Sequence, residues 1–169
     1  MVRRFFAITL LAGALTGPLT SPVPALADDF AAHFTATSPP VVVPGFNFED
    51  GKGRQVSLKD FKGRYVLLNI WATWCGPCVK EMGSLDRLTQ KLGIHVVPLT
   101  EDRAGRGAAE AFYKRHNLTH LEVFVDKSGE APGLLNANGL PTTLLIDPKG
   151  FEIGRVEGDA EWDSAEAII

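Results

Sequence analysis

Apolar residues along the chain fall in short runs, and the period of the pattern switches between runs. Tyr65 to Trp71 is nearly continuous in apolar residues, which predicts a strand buried on both faces in a sheet covered on both sides. From Pro77 to Leu92 the apolar positions Val79, Met82, Leu85, Leu88 and Leu92 recur every third or fourth residue, and Gly93 follows. That spacing predicts an amphipathic helix with a glycine stop. Ile94 to Leu99 predicts a second buried strand, Gly107 to His116 a second helix, Leu121 to Val125 a third strand, and Ala131 to Asn138 a short helix ended by Gly139. Thr143 to Ile146 and Glu152 to Val156 are expected strands joined by Asp147-Pro148-Lys149-Gly150, where Pro presets φ and Gly accepts a positive φ. Asp163 to Ile169 is expected as a closing helical fragment. Strands alternating with helices imply an α/β layer fold with a mixed sheet.

Ahead of this alternation, Phe46-Asn47-Phe48 and Gln55-Val56-Ser57-Leu58 flank Asp50-Gly51-Lys52-Gly53, the pattern of a β-hairpin with a polar turn. Residues 28–45 hold Ser38-Pro39-Pro40, Pro44 and Gly45 without sustained periodicity, so they are expected as an extended lead-in, with the domain proper at 46–169. The first 27 residues run from Arg3-Arg4 through an apolar stretch, Phe5 to Leu15, to Pro22, Pro24 and the small-residue triplet Ala25-Leu26-Ala27. This is the order of a secretory signal peptide, and the apolar stretch is shorter than the roughly 20 residues of a membrane-spanning helix. Cleavage after Ala27 and export, to the periplasm or an equivalent compartment, are expected. An uncleaved N-terminal anchor is the alternative.

Composition narrows the function classes. With 45% apolar and 22% charged residues, the chain of 169 residues has enough apolar material for one folded domain. A net charge of -3, with no Lys/Arg run longer than two, gives no footprint for nucleic acid. The two cysteines, Cys75 and Cys78, are too few for an all-cysteine zinc site, and His33, His95, His116 and His120 are scattered without metal-ligand spacing, so no metal is expected.

Cys75-Gly76-Pro77-Cys78 lies where a buried strand gives way to an amphipathic helix. A thiol at the first turn of a helix faces free backbone N–H groups and the positive end of the helix dipole, which favour its thiolate. Cys75, at the outer edge, is therefore the candidate nucleophile. Cys78, three residues on, is placed to attack a mixed disulfide formed on Cys75. A purely structural bridge is the competing reading, but a loop this short constrains little chain entropy.

Trp74-Cys75-Gly76-Pro77-Cys78, with a buried strand before it and Leu140-Pro141-Thr142 downstream, resembles the thioredoxin superfamily. Leu68 to Cys75, Lys80-Glu81-Met82, Gly139 to Thr143 and Glu161-Trp162-Asp163-Ser164 resemble, more narrowly, the exported TlpA/ResA/CcmG group of thiol:disulfide interchange proteins. The resemblance covers residues 46–169. It implies a thioredoxin fold with an added N-terminal hairpin and a reducing role in the maturation of cytochrome c or cytochrome oxidase. It further implies that Pro141 is the cis-proline facing the cysteine pair, with Leu140 offering its backbone to an extended substrate. Asn69 falls where cytoplasmic thioredoxins carry a buried acid. A neutral amide cannot take the Cys78 proton, and Glu81, on the same helix face as Cys78, is the offered replacement, with a solvated surface glutamate as its alternative. Trp74, Gly76, Pro77 and Leu140 are the residues expected to meet substrate, while Trp71 is expected in the core. Gly83 departs from the group, which usually has a helix-kinking proline there.

The leading expectation is an enzyme that reduces protein disulfides. Its only redox group would be the Cys75–Cys78 pair, with no separate cofactor. Gly76-Pro77 between the cysteines, with no His, favours a reductant over an oxidant. Expected partners are an exported disulfide substrate, such as an apocytochrome c or a copper chaperone, and a membrane electron donor, and the protein itself is expected as a monomer. Two other classes fit the pattern less well. A peroxiredoxin-type peroxidase would need a Pro where Leu68 stands, and a Sco-like copper chaperone needs one more residue between the cysteines than this chain has.

Overall fold

The computed structural model describes residues 33–91 and 94–164. The expected leader at 1–27, the glycine stop at Gly93 and most of the expected C-terminal fragment lie outside the described residues. Among those described, eight strands form one sheet: β1 (Phe34–Val42), β2 (Asn47–Glu49), β3 (Gln55–Ser57), β4 (Val66–Trp71), β5 (His95–Thr100), β6 (Phe124–Val125), β7 (Thr142–Ile146) and β8 (Phe151–Glu157). Their order is β1-β8-β7-β4-β5-β6-β2-β3. The central strands β4, β5 and β6 run parallel, and β7 and β8 are antiparallel additions on the other side of β4. Among the described residues three α-helices follow the central strands, α1 (Gly76–Leu88), α2 (Arg106–His116) and α3 (Ala131–Leu134), and a 3-10 turn spans Leu58–Phe61 after β3.

All six residues of β4 are buried, as a central strand of such a sheet demands. Its side chains alternate between two cores. Leu67 and Trp71 enter a cluster with Met82, Leu85 and Leu88 of α1 and with Phe112 and Tyr113 of α2. Val66, Leu68 and Ile70 enter a second cluster with Phe46, Phe48, Phe124, Leu135 and Leu144. The one polar residue of β4, Asn69, shares the face of Leu67 and Trp71 and so points toward α1.

Four expectations are corrected, the simplest being the short helix from Ala131, which ends at Leu134 rather than Asn138. Regular structure is present ahead of Phe46, since residues 34–42, expected as an extended lead-in, pair antiparallel with β8 as an edge strand. An edge strand accommodates Pro39 and Pro40 at the register shift between Ala36 and Val41, and exposure of most of its residues removes the alternation that would have marked it. Helix α1 ends at Leu88, not Leu92, with the Thr89 N–H bonded to the carbonyls of Arg87 and Leu85. Strand β6 starts at Phe124, not Leu121, because the backbone before it is held from the helices: Asp86 accepts the N–H groups of His120 and Leu121 at 2.9 and 3.1 Å, and the Tyr113 hydroxyl donates to the Glu122 carbonyl. The expected hairpin is present as β2 and β3, and β2 attaches it to the sheet by pairing with β6 at Glu49 and Val125.

Candidate active site

The cysteine pair sits at the carboxyl end of β4, where strand passes into α1. Residues 72–75 make a tight turn closed by the Cys75 N–H on the Ala72 carbonyl at 3.1 Å. Asp102, just past β5, fixes this turn: its carboxylate accepts the Thr73 N–H and hydroxyl, both at 2.9 Å, and the Thr100 hydroxyl at 2.8 Å. Cys75 is the N-cap of α1, Pro77 stands in the first helical turn where its missing N–H costs nothing, and the two cysteines are joined as a disulfide. The Cys75 sulfur accepts the Cys78 N–H at 3.2 Å, so the helix start directs a donor at this sulfur. Cys75 is 5% exposed and Cys78 fully buried.

Around the pair, Trp74 is 71% exposed and Trp71 fully buried against Phe112 and Tyr113. The Leu140–Pro141 peptide is cis. Leu140 packs against the cluster that contains both cysteines, and the Pro141 carbonyl accepts the Gly158 N–H at 2.9 Å. Among the described residues the Leu140 backbone joins none of the turn or strand hydrogen bonds.

Glu81 is not a surface glutamate: it is 1% exposed. Its Oε1 accepts from Asn69 Nδ2 at 2.7 Å, and its Oε2 accepts from the Trp162 indole at 2.7 Å and the Ala160 N–H at 3.2 Å. Asn69 Nδ2 also donates to the Thr143 hydroxyl at 2.8 Å, a contact set by the direct pairing of Asn69 with Thr143 between β4 and β7. Burial pushes the Glu81 carboxyl up to about 7, against the opposing pull of its three donors. A buried acid one helical turn past Cys78 thus changes charge near neutral pH. A second acid, Glu101, follows β5 beside Asp102, and burial together with Asp126 and Asp102 pushes it up to about 8.

Sequence reasoning singled out the pair, Pro141, Leu140, Trp74 and Glu81, and the fold brings Cys75, Cys78 and Leu140 into one cluster. It missed Asp102, and it gave Trp162 no role although Glu161-Trp162-Asp163-Ser164 is one of the strings that carry the resemblance. Among the described residues no cluster of three or more His, Cys, Asp or Glu is arranged to hold a metal ion.

Residues 40–151 match the AhpC/TSA family. A thiol-disulfide oxidoreductase ResA from Bacillus thuringiensis subsp. konkukian (strain 97-27) is 36% identical over 129 residues, 75% of this chain and 73% of that protein. Among solved structures, a putative thiol:disulfide interchange protein DsbE from Chlorobium tepidum superposes with a TM-score of 0.65 at 30% identity, covering 73% of this chain and 88% of its own. The exposed lipoprotein thioredoxin Etrx1 from Streptococcus pneumoniae strain TIGR4 superposes with a TM-score of 0.62 at 25% identity, covering 71% of this chain and 93% of its own. The architecture is the thioredoxin fold with added N-terminal strands.

Proposed function

Given that this chain belongs to the AhpC/TSA family and is a thiol:disulfide oxidoreductase, we propose that it works as an exported dithiol reductant of protein disulfides in cytochrome c or cytochrome oxidase maturation. The observation that carries the reading is the Cys75–Cys78 disulfide at the N-terminus of α1, with the Cys75 sulfur receiving a helix N–H and Cys78 buried behind it. In the reduced protein the Cys75 thiolate attacks a substrate disulfide. One substrate sulfur leaves as thiolate and the other is held in a mixed disulfide with Cys75. Cys78, once deprotonated, attacks the Cys75 sulfur, expels the second substrate thiolate and restores the Cys75–Cys78 disulfide. Two electrons pass to the substrate, and a membrane electron donor must return them.

Glu81 supports the reducing direction. A dithiol is a strong oxidant when its thiolate is strongly stabilised, and a buried carboxylate one turn away opposes that stabilisation. Substrate is expected to lie extended along Leu140 and Pro141, pairing with the unused Leu140 backbone, with the exposed Trp74 ring and Gly76-Pro77 flanking the sulfur. Leu68 holds the place of the proline in the peroxidase pattern, which favours disulfide over peroxide as the oxidant.

Selectivity gives the direct test. Pre-reduced protein should reduce a haem-binding CxxCH peptide or an oxidised copper-chaperone cysteine pair at least about tenfold faster than a generic disulfide, as differential recognition in a groove requires. Equal rates for all would remove the maturation role, and no reduction of any would remove the reductant role. Export rests on the basic, apolar and Ala25-Leu26-Ala27 pattern of the first 27 residues. Protein recovered from the exported fraction should begin at Asp28, and an intact Met1 terminus in membranes would replace cleavage by anchoring.

A further inference from the structure

Glu81 is gripped from two sides, and one grip comes from the far end of the chain. On the sheet side the donor is Asn69. On the other side the stretch from Ala160 to Asp163 lies back along α1. There the Trp162 indole and the Ala160 N–H both reach Oε2, at 2.7 and 3.2 Å, and Trp162 is itself buried. The stretch is pinned on both flanks of Trp162. Arg87 donates to Asp163 at 2.8 and 3.1 Å and to Glu161 at 2.7 Å, and Lys91 reaches Asp163 at 3.3 Å. Ser84, between Glu81 and Arg87 on α1, accepts the Trp162 N–H at 3.0 Å and donates to the Glu81 carbonyl at 2.8 Å.

We propose that Trp162 is a positioning residue for the thiol chemistry, its indole N–H holding the Glu81 carboxylate in place and favouring its ionised form, with Ser84 and Arg87 locking the strap that carries it. The inference rests on the reading that Glu81 tunes the cysteine pair. A packing role alone would need only the indole ring in the core, yet the ring's single polar atom is spent on the buried Glu81 carboxylate, one helical turn past Cys78. An N–H donor to a carboxylate in a buried site stabilises the charged form, so losing it makes the proton harder to remove. The charged groups facing Glu81 are few. Asp159, just before Ala160 and paired with Lys80 at 3.9 Å, opposes ionisation. Glu161 and Asp163 are engaged by Arg87. β4 and β7 present the neutral Asn69 and Thr143, and α1 itself presents the cysteine pair and Ser84. Trp162 is therefore the chief donor on the strap side that favours the Glu81 carboxylate.

Trp162→Phe keeps an aromatic ring and deletes the donor. In the full-length protein, the midpoint of Glu81 protonation, followed by the carboxyl stretch in pH-difference infrared spectra with Glu81→Gln as the blank, should rise by about one pH unit. The pH–rate profile for Cys78 resolving a mixed disulfide on Cys75 should move in the same direction. Ser84→Ala, which frees the Trp162 backbone without touching the ring, should shift both the same way by less, and serves if Trp162→Phe does not fold. An unmoved midpoint in the folded variants, with only a lower melting temperature, would overturn the inference and leave Trp162 as packing. If Glu81→Gln changes the pH–rate profile but Trp162→Phe does not, the role of Glu81 stands and the strap is discarded. If Glu81→Gln leaves that profile unchanged, the tuning role of Glu81 fails and the inference falls with it.

Discussion

Cys75→Ser is expected to lose disulfide reduction by at least about a thousandfold, and Cys78→Ser to accumulate covalent complexes with its substrates. The asymmetry follows from where the two sulfurs lie. Cys75 caps α1, its sulfur accepts the Cys78 N–H at 3.2 Å, and the exposed Trp74 stands beside it in the chain. Cys78 has no surface at all and can meet only a sulfur delivered to it through Cys75. Removing Cys78 therefore leaves attack intact and stops resolution, so the mixed disulfide persists. Removing Cys75 leaves a thiol that substrate cannot reach. Non-reducing electrophoresis of both variants incubated with an oxidised CxxCH peptide, with mass spectrometry of the adduct, measures the difference. Equal trapping by the two variants would mean that Cys78 is reachable in solution and that the assignment by burial is wrong.

How much of this site is legible in the sequence depends on how local its causes are. The strand from Val66 to Trp71 and the helix cap at Cys75 are set by neighbours within a few residues, so hydrophobic period and the Cys75-Gly76-Pro77-Cys78 string are enough to place them. The edge strand from Phe34 to Val42 is illegible for the opposite reason. Its pairing is wholly with β8, more than a hundred residues away, and its exposed faces leave no alternation to detect. Glu81 shows the same limit at the site itself. Its spacing from Cys78 places it on the right helix face, but the partners that hold it in the interior are distant in sequence: Asn69 on β4, and the Ala160 N–H and Trp162 indole, the last 81 residues further on. Asp102 is beyond reach of the pattern as well. Nothing in Thr100-Glu101-Asp102 announces that one carboxylate will hold the turn ahead of Cys75, because the contact exists only once β4 and β5 pair.

Burial of Glu81 also predicts a stability that falls as pH rises, and Glu81→Gln should flatten it. The folded protein binds this proton more tightly than the unfolded chain, since burial lifts the carboxyl from 4.5 to about 7. The contribution of the protonated group is therefore complete below the unfolded value and lost as pH climbs through the folded one, a change of about 3 kcal/mol between roughly pH 4 and 8. Asp86, Glu152 and Asp163 are held below their ordinary values by His120, Arg155 and Arg87, and contribute in the opposite sense at lower pH. Only the difference between wild type and variant isolates Glu81. A glutamine can keep the Trp162 and Ala160 donors on its oxygen if its amide turns its NH2 toward Asn69. Asn69 can answer, because its Oδ1 has no hydrogen-bond partner and a half-turn of that amide brings it round as an acceptor. The same half-turn would give the protonated Glu81 hydroxyl its acceptor, so the variant resembles the acid form of the wild type. In urea unfolding of the oxidised proteins, the variant should gain on the wild type steadily from pH 4 to pH 8, by about 3 kcal/mol in total. A constant offset across that range would show that the carboxyl keeps an ordinary pKa despite its burial.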